Sequence, residues 1–359
     1  MTLDDLYERW VRVKRGIKTV TFNKYKHDYK KYIQPSLGRK RLDSIKSTDI
    51  RAFYNELTDD LAFAVSTIGT IHRLLHQILD LGVDDDLLRK NPSTKALKDF
   101  KSEHSPGIRK NKAMTFQEQQ LFEKFLETSK QYRRWQPLFT TMLWTGLRAG
   151  ELSALRWCDV DFNREVIVVD HALSYHGDEE LKNNRNHIDT PKSVHSVREI
   201  HMLPQVKEAL LKEKRMQEIV GLKCNVEIDG FTDFVFLTRN GGPKHVWGMN
   251  DALDNIVRDC NTQVMREWEE TDHEEEENPV TLPPLSCHWL RHSFATRCCE
   301  AEVNPKALQK ILGHADFETT MDIYAEATDD LKKSQLIYLN EYFKNVENDE
   351  KSGLVVRCS

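Results

Sequence analysis

The sequence predicts a two-domain protein that is mainly helical and carries a small β region. Its 359 residues exceed the usual size of one domain. Apolar residues recur at helical spacing from residue 3 to about residue 88, and short β-branched runs appear in the second half. A Pro-Gly pair at 106–107 lies in a polar connection. We divide the chain into residues 1–100, a linker at 101–112, a second domain at 113–330 and a tail at 331–359.

The first domain is predicted to contain four helices. Polar residues and Gln34-Pro35 interrupt the helical pattern, and Gln34-Pro35 is expected to end the second helix. The first helix carries the apolar stripe of Leu3, Leu6, Tyr7 and Trp10, and the second runs from Thr21 towards Ile33. The third is capped by Ser47 or Thr48 and ends at Leu57, and the fourth runs from Ser66 to Leu81.

The second domain is predicted to alternate helices with a short β region. It opens with a capping box formed by Thr115 and Glu118. A strand is predicted at Glu165 to Asp170. Two further strands, at His187 to Thr190 and Ser196 to Met202, are expected to pair with each other across a turn that contains Lys192. Helices are predicted from Pro204 to about Ile219 and from Met249 to Thr262.

The charge is distributed unevenly along the chain. The net charge is −5, but residues 1–110 hold 22 Lys and Arg against 15 Asp and Glu, a net of +7, which leaves −12 for the rest. Between Arg9 and Arg51 there are 14 basic and 3 acidic residues, interleaved with aromatic residues. Such a segment can follow a phosphate backbone. A solvated helix face is the alternative that charge alone leaves open.

Composition argues against several classes of protein. No apolar run approaches the roughly 18 residues that a membrane span needs, and the start, MTLDDLYERW, lacks the features of a secretory signal. The seven cysteines form no CxxC pair, so a zinc or disulfide framework is not indicated. Eight carboxylates at 267–277 are interpreted as a hydrated loop, with a metal site as the alternative. We expect a cytoplasmic protein without a structural metal or a cofactor.

Three motifs contain the residues that are suited to chemistry. The first, WTGLRAGELSALRW, places Arg148 at the start of a helix, where a surface ion pair is the alternative role. The second, LSCHWLRHSFAT, places His288 and Arg291 three residues apart on one helical face. In the third, LQKILGHADFETTMDIY, His314 follows the end of a helix and Tyr324 lies on the next helix.

In their order and spacing, the motifs TGLRxxEL, HxLRHxxAT and LGHxxxxTTxxxY resemble those of the tyrosine recombinases, the integrases of phages and conjugative transposons and their chromosomal relatives. The segment TPKSVHSVR at 190–198 is similar to the family's β-hairpin with its active-site lysine, here Lys192, with Lys182 as the alternative. The resemblance covers nearly the whole chain. It implies an all-α, SAM-like core-binding domain at 1–100 and a catalytic domain at 113–330 that close on DNA as a C-shaped clamp.

The resemblance also implies how a DNA strand is cut. Tyr324 is expected to attack the scissile phosphate, which yields a 3'-phosphotyrosine and a 5'-hydroxyl whose return attack reseals the strand without ATP. Arg148 and Arg291 are expected to bind the non-bridging oxygens, because each offers planar paired donors and stays charged. No divalent cation is then required.

The remaining implied roles belong to two histidines and a lysine. His288 and His314 are expected to donate hydrogen bonds to the same phosphate, and His288 is the candidate acceptor of the phenol proton. Lys192 is expected to protonate the 5'-oxygen as it leaves. The expected catalytic residues are therefore Arg148, Lys192, His288, Arg291, His314 and Tyr324.

These roles predict a site-specific recombinase that integrates and excises a mobile element. The implied partners are double-stranded DNA recombination sites, further copies of the chain in a homo-tetramer, and an excisionase or host DNA-bending protein; no membrane is involved. A chromosome-dimer resolvase of the same family and a non-catalytic DNA-binding regulator are the alternatives. A type IB topoisomerase shares the cleavage chemistry but would act as a monomer without site preference.

The tail at 331–359 carries one more pattern. Leu336, Leu339, Phe343 and Val346 recur at helical spacing and predict an apolar stripe that must be buried. We expect the tail to dock in trans on a neighbouring protomer. Packing on its own catalytic domain is the alternative.

Overall fold

The computed structural model describes residues 1–17, 19–98, 100, 113–178, 183–189, 197–270 and 278–325. The chain divides into two compact units, Met1–Lys110 and Asn111–Ser359. The predicted fold class, mainly helical with small antiparallel sheets, is confirmed. Four sequence predictions lie outside the described residues: Lys192, the linker at 101–112, most of the acidic segment at 267–277, and the tail at 331–359.

The first unit contains the four predicted α-helices. In the first helix Leu3, Leu6, Tyr7 and Trp10 are all buried, as their spacing predicts. The helix begins after Thr2, whose backbone N–H donates to the Asp5 carboxylate at 2.8 Å. The helices are α1 (Leu3–Val13), α2 (Thr19–Asp28), α3 (Ser47–Asp59) and α4 (Val65–Asp84).

The predicted end of the second helix at Gln34-Pro35 is wrong. Helix α2 continues into a ten-residue π-helix, Tyr29–Gly38, that contains Pro35. A proline lacks the backbone N–H and crowds the preceding turn, and here the chain widens to π geometry instead of leaving the helix. Ile33 and Leu37 are buried in the core, so tertiary packing keeps the segment helical past the proline.

The third helix also begins differently from the prediction. Its N-cap is Lys46, and neither Ser47 nor Thr48 caps it. The Asp49 carboxylate accepts the backbone N–H of Lys46 at 2.8 Å, which is the bond that the third helical residue of a capping box makes back to the N-cap backbone.

The second unit is built from eight α-helices, counted over the described residues. The predicted capping box is confirmed, because Thr115 N donates to Glu118 Oε2 at 2.7 Å and Glu118 N donates to Thr115 Oγ1 at 3.2 Å. The helices are α5 (Phe116–Thr128), α6 (Gln136–Thr145), α7 (Ala149–Ala154), α8 (Pro204–Val220), α9 (Val246–Glu269), α10 (Cys287–Glu300), α11 (Pro305–Leu312) and α12 (317–325).

The strands of the second unit form two separate antiparallel sheets. One has the order β1-β2-β5 and the other pairs β3 with β4. The strands are β1 (Val160–Asp161), β2 (Val166–Val169), β3 (Ala172–Asp178), β4 (Asn183–Asp189) and β5 (Arg198–His201).

The predicted pairing of His187–Thr190 with Ser196–Met202 is wrong. Strand β4 pairs with the strand before it, in a register that runs from Ala172↔Asp189 to Asp178↔Asn183. Strand β5 pairs with β2, which sets Ile200 opposite Ile167 in the core. Because the side chains of β5 alternate between buried and exposed, that strand needs an apolar neighbour, and the polar β4 does not provide one.

The described residues include no helix that is long and apolar enough to cross a membrane.

Candidate active site

Two left-handed glycine turns shape the candidate site. Gly146 ends α6 at φ +64°, and a Cβ there would lie 2.4 Å from the ring of Phe294. Gly313 ends α11, also at φ +64°, and a Cβ there would lie 3.0 Å from a guanidinium nitrogen of Arg198. Only glycine suits both the backbone angle and the available space. The backbone at each turn can therefore approach an arginine closely.

Three arginines converge on the C-terminal end of α11. The last carbonyls of a helix have no partner within the helix and form the negative end of its dipole. Three consecutive carbonyls here each accept a hydrogen bond from a different guanidinium. The pairs are Arg198 Nε with Ile311 O at 2.6 Å, Arg291 Nη2 with Leu312 O at 2.7 Å, and Arg148 Nη2 with Gly313 O at 2.8 Å.

Arg291 is buried and links two parts of the site. Its second terminal nitrogen, Nη1, donates to the carbonyl of Gly146 at 2.6 Å. The side chain therefore joins the Gly146 turn to the end of α11. Burial and the neighbouring cations Arg148 and Arg198 lower the pKa of Arg291, so an incoming anion would relieve the electrostatic cost of this group.

A buried carboxylate holds the other two arginines. Glu151 accepts hydrogen bonds from Arg148 Nη1 at 2.8 Å and from both terminal nitrogens of Arg198 at 3.1 and 2.8 Å. Burial by itself raises the pKa of Glu151, but hydrogen bonding and charge from Arg198 and Arg148 outweigh burial and lower the pKa to about 2. One carboxylate against three guanidiniums leaves an excess of positive charge. The site is therefore suited to an anion.

Arg148 is placed so that it can reach a ligand. Its side chain is 42% exposed, whereas the Glu151 carboxylate that it contacts is 8% exposed. The ion pair that the sequence offered as the alternative role of Arg148 does exist, and its partner is the buried Glu151. This ion pair does not occupy all five N–H donors of the guanidinium.

His314 lies directly after the Gly313 turn, beside the arginines. Its backbone N–H donates to Gln309 O at 3.1 Å, and Gln309 Nε2 donates to His314 O at 3.2 Å. Its ring Nδ1 lies 3.0 Å from Thr320 Oγ1. Burial and the charges of Arg291 and Arg148 lower the pKa of His314 to about 4, so this imidazole is neutral at neutral pH.

His288 and His292 form a histidine pair on α10. His288 is exposed, and its ring meets that of His292 edge-on with centroids 4.5 Å apart. His288 therefore lies on the same helix as the buried Arg291 but at its solvent side.

Tyr324 is half-buried on α12 and its phenol is engaged elsewhere. The hydroxyl donates to the carbonyl of Val303, and the Cys299 thiol hydrogen-bonds to the same phenol. Burial, together with Cys299 and Cys298, raises the pKa of Tyr324 to about 12. The phenol O–H thus donates to a backbone carbonyl in this structure, so the expected proton transfer to His288 requires the hydroxyl to leave Val303.

The structure brings Arg148, Arg291 and His314 together at one helix end. It adds Arg198 and Glu151, for which the motifs predicted no role in the site. The sequence did offer one signal for Arg198. It is the first residue of the strand REIH, and it shares the buried face of that strand with Ile200. For Glu151, the signal was its position three residues after Arg148 at a helix start.

Within the described ranges, no group of three His, Cys, Asp or Glu side chains is placed to hold a metal ion.

Comparison with known proteins identifies the family of the chain. Residues 112–330 match the model of the phage integrase family, and residues 2–58 match the model of the phage integrase N-terminal SAM-like domain. The transposase from transposon Tn916 of Enterococcus faecalis is 32% identical over 95% of this chain and 78% of its own length. The XerC-like tyrosine recombinase of Caldanaerobacter subterraneus subsp. tengcongensis is 27% identical over 96% of this chain and 84% of its own.

Solved structures give the same result. The Tn1549 transposon integrase, solved in complex with transposon right end DNA, superposes with a TM-score of 0.79 at 29% identity, over 95% of this chain and 100% of that one. The fold and the catalytic-domain match define a DNA strand-transferring enzyme of the tyrosine recombinase class. The chain belongs to the phage integrase family. It is a site-specific recombinase of a mobile element, similar to the integrases of conjugative transposons.

Proposed function

We propose that Tyr324 is the nucleophile and that Arg148 and Arg291 bind the scissile phosphate. The Tyr324 oxygen attacks phosphorus, the bond from phosphorus to the 5'-oxygen breaks, and a 3'-phosphotyrosine and a 5'-hydroxyl result. The two guanidiniums stabilise the charge that gathers on the non-bridging oxygens. The observation that carries this proposal is the excess of guanidinium charge, held by backbone carbonyls and Glu151 at the end of α11.

The phenol needs a base because its pKa is raised to about 12. We assign that role to His288, which is exposed one helical turn before Arg291. Before attack, the Tyr324 hydroxyl must exchange its bond to Val303 O for contact with the phosphate and with His288. His314, neutral at working pH, serves as a hydrogen-bond donor to the phosphate.

Lys192 is proposed as the general acid for the 5'-oxygen. Arg198 supports this assignment, since it lies six residues after Lys192 and fixes the start of β5 to Glu151 and to Ile311 O. Arg198 therefore ties strand β5, which follows Lys192 in the sequence, to the arginine cluster.

DNA recombination sites are the proposed substrate, with residues 1–100 as the core-binding domain. In the first unit Lys24, Lys30 and Lys31 are exposed along α2 and the π-helix. Cations in such a row can release counterions from a phosphate backbone. The DNA-bound Tn1549 integrase supports the same substrate class for this chain. Because DNA is the substrate, we place the enzyme in the cytoplasm, at the nucleoid.

The proposed assembly is a homo-tetramer on two paired sites. Recombination of two duplexes cuts four strands, and one Tyr324 per protomer forms one covalent link, so complete exchange needs four protomers.

We further propose that residues 331–359 dock in trans on a neighbouring protomer. An excisionase or a host DNA-bending protein is proposed to set the direction of recombination, towards integration or excision. Deletion of 332–359 is then expected to impair synapsis and recombination more than binding to one site. Unchanged assembly would contradict the docking.

A nicked suicide substrate tests the proposed chemistry. The wild-type protein is expected to give a covalent adduct on a denaturing gel, and Tyr324→Phe to bind DNA without forming the adduct. Tyr175→Phe is the matched control, because Tyr175 is 48% exposed in the same unit. Arg148→Lys is expected to fold normally and lose at least about 10²-fold in cleavage rate, since an ammonium lacks the guanidinium fork. An adduct with Tyr324→Phe would overturn the assignment.

A further inference from the structure

The catalytic role expected of His314 depends on its tautomer, that is, on which ring nitrogen carries the proton. The ring is neutral at neutral pH because burial and the nearby Arg291, Arg148, His292 and Arg198 lower its pKa to about 4. A neutral imidazole carries a single N–H, on either Nδ1 or Nε2. A phosphodiester monoanion only accepts hydrogen bonds, so the nitrogen that faces it must carry that proton.

The partner of Nδ1 is the hydroxyl of Thr320, 3.0 Å away on α12. Thr320 is fully buried. Within the part of the chain that the structure describes, the Thr320 hydroxyl makes its hydrogen bond with His314 Nδ1. Among the described residues, His314 Nδ1 is therefore the acceptor within reach of the Thr320 O–H.

The two tautomers of His314 leave different groups unsatisfied. If Nδ1 carries the proton, Nδ1 donates to Thr320 and the buried hydroxyl proton has no acceptor. If Nε2 carries the proton, the buried Thr320 hydroxyl donates to Nδ1, and the donor left over is the Nε2–H of the half-buried ring, which can serve a ligand. A buried donor without a partner is costly, so the contact favours the second arrangement.

We propose that Thr320 is a positioning residue that holds neutral His314 in its Nε2–H tautomer, with Nε2 free to donate to a non-bridging oxygen of the scissile phosphate. The proposal rests on the proposed function, because it takes a phosphate as the ligand of His314. The backbone hydrogen bonds between His314 and Gln309 fix where the residue lies. Thr320 then fixes the orientation of the ring and the nitrogen that carries the proton.

The adjacent Thr319 provides a matched control. It is exposed, while Thr320 is fully buried. Thr320→Val keeps the side-chain shape and removes the hydroxyl. Thr320→Ser keeps the hydroxyl, and Thr319→Val makes the same chemical change one residue away. All three are compared in the full-length chain by single-turnover cleavage of the suicide substrate, with thermal unfolding as the check on folding.

Thr320→Val is expected to slow cleavage about tenfold, which is less than the roughly 10² to 10³-fold that removal of a whole oxyanion donor costs. Thr320→Ser and Thr319→Val are expected to cleave within about twofold of wild type. In a His314→Ala background, Thr320→Val should have no further effect, because the hydroxyl acts through the imidazole. An equal loss in both backgrounds would overturn the proposal and make Thr320 a structural residue.

The tautomer is measured directly by nitrogen NMR of the free protein labelled at histidine, with the His314 signals assigned by their disappearance in His314→Gln. The expected spectrum has a protonated Nε2 and an unprotonated Nδ1, and Thr320→Val should alter that pattern. A protonated Nδ1 in the wild type would overturn the proposal, even if Thr320→Val did not fold. This measurement needs no activity, so it separates failure of the tautomer proposal from failure of the recombinase assignment, which the Tyr324→Phe adduct test reports.

Discussion

Replacement of Glu151 by Gln is the most informative single change in the arginine cluster. The substitution keeps the shape of the side chain and removes the negative charge that holds Arg148 and Arg198. The pKa of Glu151 falls from 4.5 to about 2, and a tenfold change in acidity corresponds to about 1.4 kcal/mol. The charged form therefore contributes about 3 kcal/mol to folding, in line with the roughly 3–5 kcal/mol that removal of one partner of a buried ion pair costs.

Urea unfolding followed by tryptophan fluorescence measures this destabilisation. Six of the seven tryptophans lie in residues 111–359, so the signal reports on the unit that contains Glu151. Glu199→Gln is the matched control. Glu199 pairs with Arg164 at the surface, with side chains 49% and 61% exposed, and such pairs contribute about 0–1 kcal/mol.

The pH dependence gives a second check on Glu151. A carboxyl whose folded pKa is depressed contributes stability that is present above its unfolded pKa of 4.5 and is lost as the pH falls towards about 2. The difference between wild type and Glu151→Gln should therefore be constant above pH 4.5 and shrink below it. A Glu151→Gln variant within about 1 kcal/mol of wild type at neutral pH, with an unchanged m-value, would refute the reasoning.

Three other sites can be tested separately. Charge reversal at Lys30 or Lys31 should reduce the slope of log K against log salt by about 1 for each phosphate that the protein no longer neutralises, and an unchanged slope places the DNA surface elsewhere. Lys192→Ala should regain cleavage on a substrate with a 5'-bridging phosphorothiolate, whose thiolate leaves without a proton; no rescue moves the acid role to another group. Because the folded pKa of His314 is lowered from 6.5 to about 4, stability should be full above pH 6.5 and fall as the pH drops towards 4. His314→Gln should flatten that fall in pH-dependent thermal unfolding, and an unaltered profile would assign it to other groups.

Local pattern predicted the helices and the helical positions of the motif residues. The stripe of α1, the capping box at Thr115 and the glycine end before His314 depend on neighbours within a few residues, so they can be recognised in sequence. The family resemblance seen in the sequence depends on short motifs of this kind, and the phage integrase family model matches residues 112–330.

The features that the sequence missed depend on contacts between distant residues. Arg198 meets Ile311 across 113 residues, and Arg291 meets Gly146 across 145. No local pattern encodes such bonds. The same reason explains the wrong helix end and the wrong strand pairing, because burial of Ile33 and Leu37 overrides the helix-breaking tendency of Pro35, and an apolar neighbour selects the partner of β5.

Peptide mapping of the trapped DNA adduct tests the central claim, that Tyr324 is the nucleophile, most directly. The wild-type protein is reacted with a suicide substrate, digested with protease and nuclease, and analysed by mass spectrometry for the residue that retains a nucleotide. We predict one modified peptide, with the nucleotide joined through its 3'-phosphate to the oxygen of Tyr324. A nucleotide on any other residue, or a link through the 5'-phosphate, would contradict that claim.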